Sequence, residues 1–456
     1  MSIPERPSRL LRFEADGLLD ADQALPGPVW LSLEFEGDPA STPGPLRGES
    51  PRVRHLGPAG DPDAPPPDAT IHRPGCVLIP GLVNAHTHLD LTGLGCRPHD
   101  PARGFVPWAD MIRKERPADP GEVRAAITRG AALCLAGGVV AVGDILGAPR
   151  GRPAAPGFHA LAESPLHGVG FVEFFGIGVR APDAVAALPA LIDSLAGLAS
   201  ERVRPGLQPH APNTVSLPVY LAAAGHAMPR GLTLATHLAE TLEERRFVSD
   251  AAGPQRELLE SLGIWDDAEL ALVGRGRHPV EHLYPFLDRA PVLAAHLNDC
   301  PDHALAILRQ TPTSVAYCPR ASAYFGAPER LGPHRYRAML AAGVNVCLGT
   351  DSLVNLDTPD RISVLDDARL LYRRDATPPA LLMAMTTRHG ARALGLDERA
   401  FALGPGSAPA GVVAVPAAGK RGDVGGAVLG GTGDPEVLFL RTDSCFVGYN
   451  HRKSNA

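Results

Sequence analysis

Lysine is almost missing from this chain of 456 residues: only Lys114, Lys420 and Lys453 occur, and arginine carries nearly all the positive charge. Chemistry that needs a lysine at the end of a core strand therefore has few candidates. Long apolar runs are also scarce. The longest uncharged one, "AALCLAGGVVAVG" from Ala131, falls short of the roughly 20 residues a membrane span needs, and the opening "MSIPERPSRLLRFEADG" has no signal-like apolar core. A soluble cytoplasmic protein is expected. No block of Lys or Arg interrupts a formal net charge of −7, so there is no electrostatic footprint for nucleic acid or an anionic membrane. Small molecules are the expected partners. The 7 cysteines are scattered and odd in number, with no CxxC pair, which excludes a disulfide framework and a cysteine zinc site. Those inside strand-like runs, as in "VAYCP" and "VNVCLGTD", read as buried inert thiols.

With 45% hydrophobic and 20% charged residues, the chain can build a large core. Residues 1–76 hold short alternating stretches, "RLLRFEA" and "VWLSLEFEG", between Pro- and Gly-rich loops, the pattern of a small sheet. From Val77 onward, apolar strand-like runs alternate with helical periodicity. Eight runs qualify as strands: "CVLIPGLVNAHTH", "GVVAVGDI", "GVGFVEFFG", "VRPGLQPHAP", "LTLATHLAE", "PVLAAHLND", "TSVAYCP" and "VNVCLGTDS". They predict an α/β fold, a (β/α)8 TIM barrel over 77–398. A small β-sandwich domain would be built from residues 1–76 and the Gly/Pro-rich tail 399–456. The connection over 241–290 is unusually long, and barrel enzymes put such insertions on the strand-to-helix side as lids or binding walls.

Most of the 17 histidines lie in loops or helical stretches and carry no functional reading. His86, His88, His210, His237 and His296 differ, because each closes a predicted barrel strand, as does Asp351. Strand ends converge on one mouth of a barrel, so these six residues become neighbours there. In "HTH" the two side chains share one face of a strand and can point inward together. Two imidazoles make half of a tetrahedral site, and His237 with Asp351 would complete a nitrogen-rich set suited to zinc or another first-row divalent ion, iron or manganese included. Such an ion turns water into a nucleophile at neutral pH. Glu240, three residues beyond His237, stands where a general acid/base is useful.

The segments "PGLVNAHTHLDL", "PHAPNTVS", "THLAET", "LAAHLNDC", "SVAYCPRASAYFG" and "LGTDSLVNLD", in that order, resemble the amidohydrolase superfamily. Within it they are similar to the branch of S-adenosylhomocysteine/methylthioadenosine deaminases, guanine deaminases and triazine hydrolases. The stretch after His237 also looks like a bacterial subgroup that includes aminodeoxyfutalosine deaminases. The resemblance implies one zinc ion on His86, His88, His237 and Asp351. It implies a proton shuttle at Glu240 that also touches substrate, a polarising His296, a substrate contact at His210, and proton acceptance by Asp351 from the attacking water. Two-metal relatives bridge their ions with a carboxylated strand-end lysine, and no lysine here ends a barrel strand, so a single metal is expected. The reaction implied is hydrolytic deamination of a purine nucleoside or related heterocycle, releasing ammonia. Hydrolysis of a cyclic amide, or displacement on a triazine-like ring, uses the same activated water and stays open, as does a homo-oligomer. A non-catalytic barrel scaffold would lack ligands that are all present here. The usual Ser-Asn pair reads Ala321-Ser322, a departure that bears on substrate. Arg113, Glu115 and Arg116 in "WADMIRKER" follow Trp108 and stay outside the candidate set.

Overall fold

The computed structural model describes residues 8–36, 51–148, 156–195, 197–418, 422–442 and 446–447; Lys420, Lys453 and Cys445 lie outside them. Four strands come first, β1 Ser8–Leu19, β2 Ala24–Glu36, β3 Arg52–Pro58 and β4 Ala69–Pro80. Eight more follow: β5 Leu82–Thr87, β6 Val139–Leu146, β7 His167–Phe174, β8 Val203–Pro209, β9 Thr233–Leu238, β10 Val292–His296, β11 Thr313–Tyr317 and β12 Asn345–Leu348. The last are β13 Gly411–Pro416, β14 Glu436–Leu440 and β15 Phe446–Val447.

Strands β5 to β12 hydrogen-bond in sequence order, parallel throughout, and the remaining seven form a second sheet in the order β15-β14-β13-β4-β1-β2-β3. The predicted barrel and the small domain shared by both ends of the chain are both present. Barrel strands are buried on both faces, outside by the helices and inside by one another's side chains, which is why each reads as an unbroken apolar run rather than an alternating one. The run from Cys76 to His88, read as one strand, is two: its first half pairs with β13 in the small sheet, and only the second enters the barrel. A continuous apolar stretch hides such a hand-over because both halves are buried.

The barrel seam joins its first and last strands. A parallel bridge links Thr87 to Asp351. The Asn84 amide donates to Thr350 Oγ1 at 2.7 Å and accepts from the Thr350 amide at 3.1 Å, while Thr87 Oγ1 donates to the Asp351 carbonyl at 3.0 Å. Gly349 makes this approach possible, since a Cβ there would lie 2.9 Å from both Cβ and the carbonyl oxygen of His86. The long insertion folds as short helices, including Leu242–Asp250 and Pro254–Ser261, around its own core of Phe247, Val248, Leu259, Ile264 and Val273. Its Glu243 and Pro254 line a cavity of about 560 Å³ together with Arg103 and Arg330. Among the described residues no helix is long and apolar enough to cross a membrane.

Candidate active site

Strand ends β5, β9, β10 and β12 bring four histidines and Asp351 into one buried cluster. The His237 and His88 Nε2 atoms are 3.3 Å apart, and Asp351 Oδ1 lies 3.4 Å from His88 Nε2 and 3.9 Å from His86 Nε2. A tetrahedral ion about 2.1 Å from each donor sets those donors about 3.4 Å apart. The spacing is that of a coordination sphere. Both nitrogens of His86 are buried without a hydrogen-bond partner among the described residues, an arrangement that costs free energy unless something binds there. His296 is packed into the same group: one of its nitrogens lies within 4.8 Å of His86 and His237 ligand nitrogens, and, with Glu240, it forms a second such group with Asp351.

Electrostatics agree with the geometry. Burial, reinforced by the neighbouring imidazoles, drives His86, His88 and His296 well below the usual histidine range, and burial takes His237 and His210 down to about 3. Neutral imidazoles offer lone pairs. Burial also lifts the carboxyls: Asp351 goes to about 7 despite bonds from the Ser352 backbone and Asn355, and Glu240 goes well above its usual value, with Asp351, Glu244 and Glu243 adding to the effect. The cluster has no positive charge of its own, and a divalent cation is what reverses these shifts. The donor set fits a metal ion.

The surroundings orient these groups. His237 Nδ1 is 3.1 Å from the His210 carbonyl, which turns Nε2 toward the cluster, and Asn355 Nδ2 donates to Asp351 Oδ2 at 2.5 Å. His334 Nε2 donates to the His296 carbonyl at 2.8 Å. His296, Leu297, Asp351 and Ala239 all adopt positive φ, between 51° and 75°, which non-glycine residues rarely do. Such outliers collect at functional sites. Glu240 Oε1 lies 3.6 Å from His296 Nε2. Its backbone is pinned by Glu244, whose two carboxylate oxygens accept from the Ala239 and Glu240 amides at 2.7 and 2.8 Å. The Glu240 carbonyl accepts from Asn298, whose amide oxygen is held by Ser322 at 2.6 Å. Ser322, the departure noted above, thus still supports this loop.

His210 stands at the edge, its ring 4.9 Å from that of His237 and its Nδ1 2.6 Å from Thr214 Oγ1. Beside it is a group that sequence reasoning missed. The trio at the end of the helix Phe105–Glu115 separates: Arg113 pairs with Asp110 and Glu115 with Arg97 near the surface, while Arg116, just past the helix, turns inward. Arg116 lies between Asp90 and Glu173, 3.0 Å from each, with Nη2 3.5 Å from His88 Nδ1. Asp144 at the end of β6 completes this wall and accepts from the Leu89 amide. The one available signal was a single acidic residue inside each apolar run, "VAVGDI" and "GVGFVEFFG", because a charge buried in a strand needs a partner.

Residues 77–416 match the model of the amidohydrolase family. The chain belongs to the amidohydrolase family. Over 351 residues this amidohydrolase is 30% identical to the aminodeoxyfutalosine deaminase of Deinococcus radiodurans, covering 72% of this chain and 76% of that one. It is 29% identical over 373 residues to the 5-methylthioadenosine/S-adenosylhomocysteine deaminase of Moorella thermoacetica, covering 78% and 77%. Its fold matches the crystal structure of Helicobacter pylori aminofutalosine deaminase with a TM-score of 0.71 at 19% identity, covering 97% and 100% of the two chains. This amidohydrolase is accordingly a hydrolase of carbon–nitrogen bonds other than peptide bonds.

Proposed function

We propose that this amidohydrolase hydrolytically deaminates an amino-substituted purine nucleoside or a related heterocycle, with aminodeoxyfutalosine as the first candidate. The observation that carries this reading is the placement of Glu240, a buried carboxyl, against His296 and Asp351 at the rim of the ligand cluster. The names of the relatives above support it.

His86, His88, His237 and Asp351 would hold one divalent ion, zinc first, with iron or manganese as alternatives, and when bound it supplies an activated water. Glu240 donates its proton to the ring nitrogen beside the carbon under attack, so negative charge does not accumulate on the ring. Asp351 accepts a proton from the attacking water, and His296 donates toward the developing oxyanion. Proton return to the exocyclic amine breaks the carbon–nitrogen bond. Water and the amino heterocycle become the carbonyl compound and ammonia. His210 contacts the bound ring.

Ammonia release by metal-loaded enzyme on aminodeoxyfutalosine, adenosine, methylthioadenosine, S-adenosylhomocysteine and guanine tests this. Turnover of at least one nucleoside is expected, with Glu240→Gln slowing it about 100-fold or more. Opening of a cyclic amide, or displacement of a substituent from a triazine, without ammonia from any of the five would overturn deamination.

A further inference from the structure

We propose that Glu173 contacts the substrate directly, accepting a hydrogen bond from an N–H or O–H group. The inference rests on the reading of this mouth as a substrate site, given above. Glu173 sits at the end of β7 with 1% of its side chain exposed. Its two oxygens are unequal. Oε2 pairs with Arg116 Nη1 at 3.0 Å, whereas Oε1 is buried with no hydrogen-bond donor among the described residues. His210 Nε2, at 3.9 Å, is too far to serve. A carboxylate in an ion pair offers only acceptors, so the group that satisfies Oε1 must be a donor.

Its direction is fixed by the cluster already described. One Glu173 oxygen lies within 4.8 Å of ligand-capable nitrogens of His210 and His237. It therefore lies beside both His210, the proposed substrate contact, and His237 of the proposed metal set. Arg116 cannot swing away to release it, being ion-paired to Asp90 on its other side. The guanidinium also occupies the space over Gly147, where a Cβ would fall 2.2 Å from its central carbon. A carboxylate held this way is preorganised for a ligand. A second metal ion fits poorly: the fixed charge of Arg116 is 3.0 Å from Glu173, and His237 is committed to the His210 carbonyl and the first cluster.

In a purine nucleoside the donor is the exocyclic amine or a sugar hydroxyl, and the experiment separates them. Glu173→Gln places an amide against Arg116, which holds the amide oxygen on its own side and turns the NH2 toward the substrate, donor against donor. The full-length metal-loaded enzyme should then keep one metal per chain and lose about 10- to 100-fold in kcat/KM on adenosine. If a hydroxyl is the donor, the parent and the variant become equal on the 2′-deoxy or 3′-deoxy analogue lacking it. If the amine is the donor, every substrate falls alike while binding of purine riboside, which has no amine, is unchanged. Values of kcat/KM within twofold of the parent on all substrates would overturn the proposal, as would loss of metal in step with activity or two metals per chain in the parent. Should Glu173→Gln fail to fold, Glu173→Asp keeps the ion pair and shortens the reach, and is judged by the same measurements. A parent enzyme that releases no ammonia sinks the deamination reading alone; Glu173→Gln is then scored on whichever carbon–nitrogen substrate the parent hydrolyses.

Discussion

Two walls of the barrel mouth bury carboxyl groups beside histidines, and they solve the charge problem in opposite ways. On one wall Asp351 and Glu240 face imidazoles, with no fixed cation in direct contact with either among the described residues, and burial raises the pKa of both carboxyls. On the other, Arg116 lies 3.0 Å from both Asp90 and Glu173. Burial still lifts Asp90 to about 6, and Arg116 acts to lower it. A cluster without its own countercharge is built to receive one, and a cluster that carries one is built to hold something still. On the proposed reading the first wall would hold the ion and react, and the second would hold the substrate in place.

The sharpest way to break that distinction is removal of a ligand. His86→Ala should abolish stoichiometric metal and reduce turnover by about 1000-fold or more, read by metal analysis and ammonia release, while Arg116→Met should retain metal. Equal metal loss in both variants would erase the contrast. Arg116→Met leaves Asp90 and Glu173 buried without a countercharge and should lower stability by about 3–5 kcal/mol in denaturant titration. A smaller effect is expected at Glu244, which touches neither wall's reacting groups but holds the Glu240 backbone. Glu244→Gln keeps the shape and loses one acceptor, so kcat should fall about 10–100-fold with KM and metal content unchanged. The smallest effect is in protons. With its folded pKa raised to about 7 from 3.8, Asp351 makes the metal-free fold more stable as pH falls from 7 toward 4, and above 7 the full cost of the buried carboxylate is present. The histidines, with lowered values, act in the opposite sense below about 6.5. Metal uptake below pH 7 should therefore expel a proton from Asp351. Calorimetry in buffers of different ionisation enthalpy should show that release in the parent and in Glu173→Gln, and its disappearance in Asp351→Asn.

The first wall was legible in the sequence because its residues sit in short, ordered motifs at the ends of apolar runs. Each of the eight runs supplies a barrel strand, although the first begins in the small sheet, and every candidate from His86 to Asp351 lies at the mouth. The second wall was not legible, because Asp144 and Glu173 are single letters in separate apolar runs and their partner comes from beyond a helix end. Nothing local marks Arg116 as different from Arg113, three residues earlier, yet one turns inward and the other stays at the surface. The positive φ angles at His296 and Asp351 leave no trace either, since no glycine announces them. Glu244 shows a different failure: it stands in the insertion, where the sequence suggests a lid, and acts instead through two backbone amides of the neighbouring loop.

The seam between Asn84 and Thr350 joins residues 266 positions apart. Closing so long a stretch of chain carries an entropic cost that no nearby contact repays, and topologies rich in such contacts fold slowly. His86 and Asp351 flank that seam, so a metal site built on them would not exist before the last barrel strand has docked against the first. Metal capture would then select closed barrels over partly assembled ones, acting as a checkpoint on the folding of the chain.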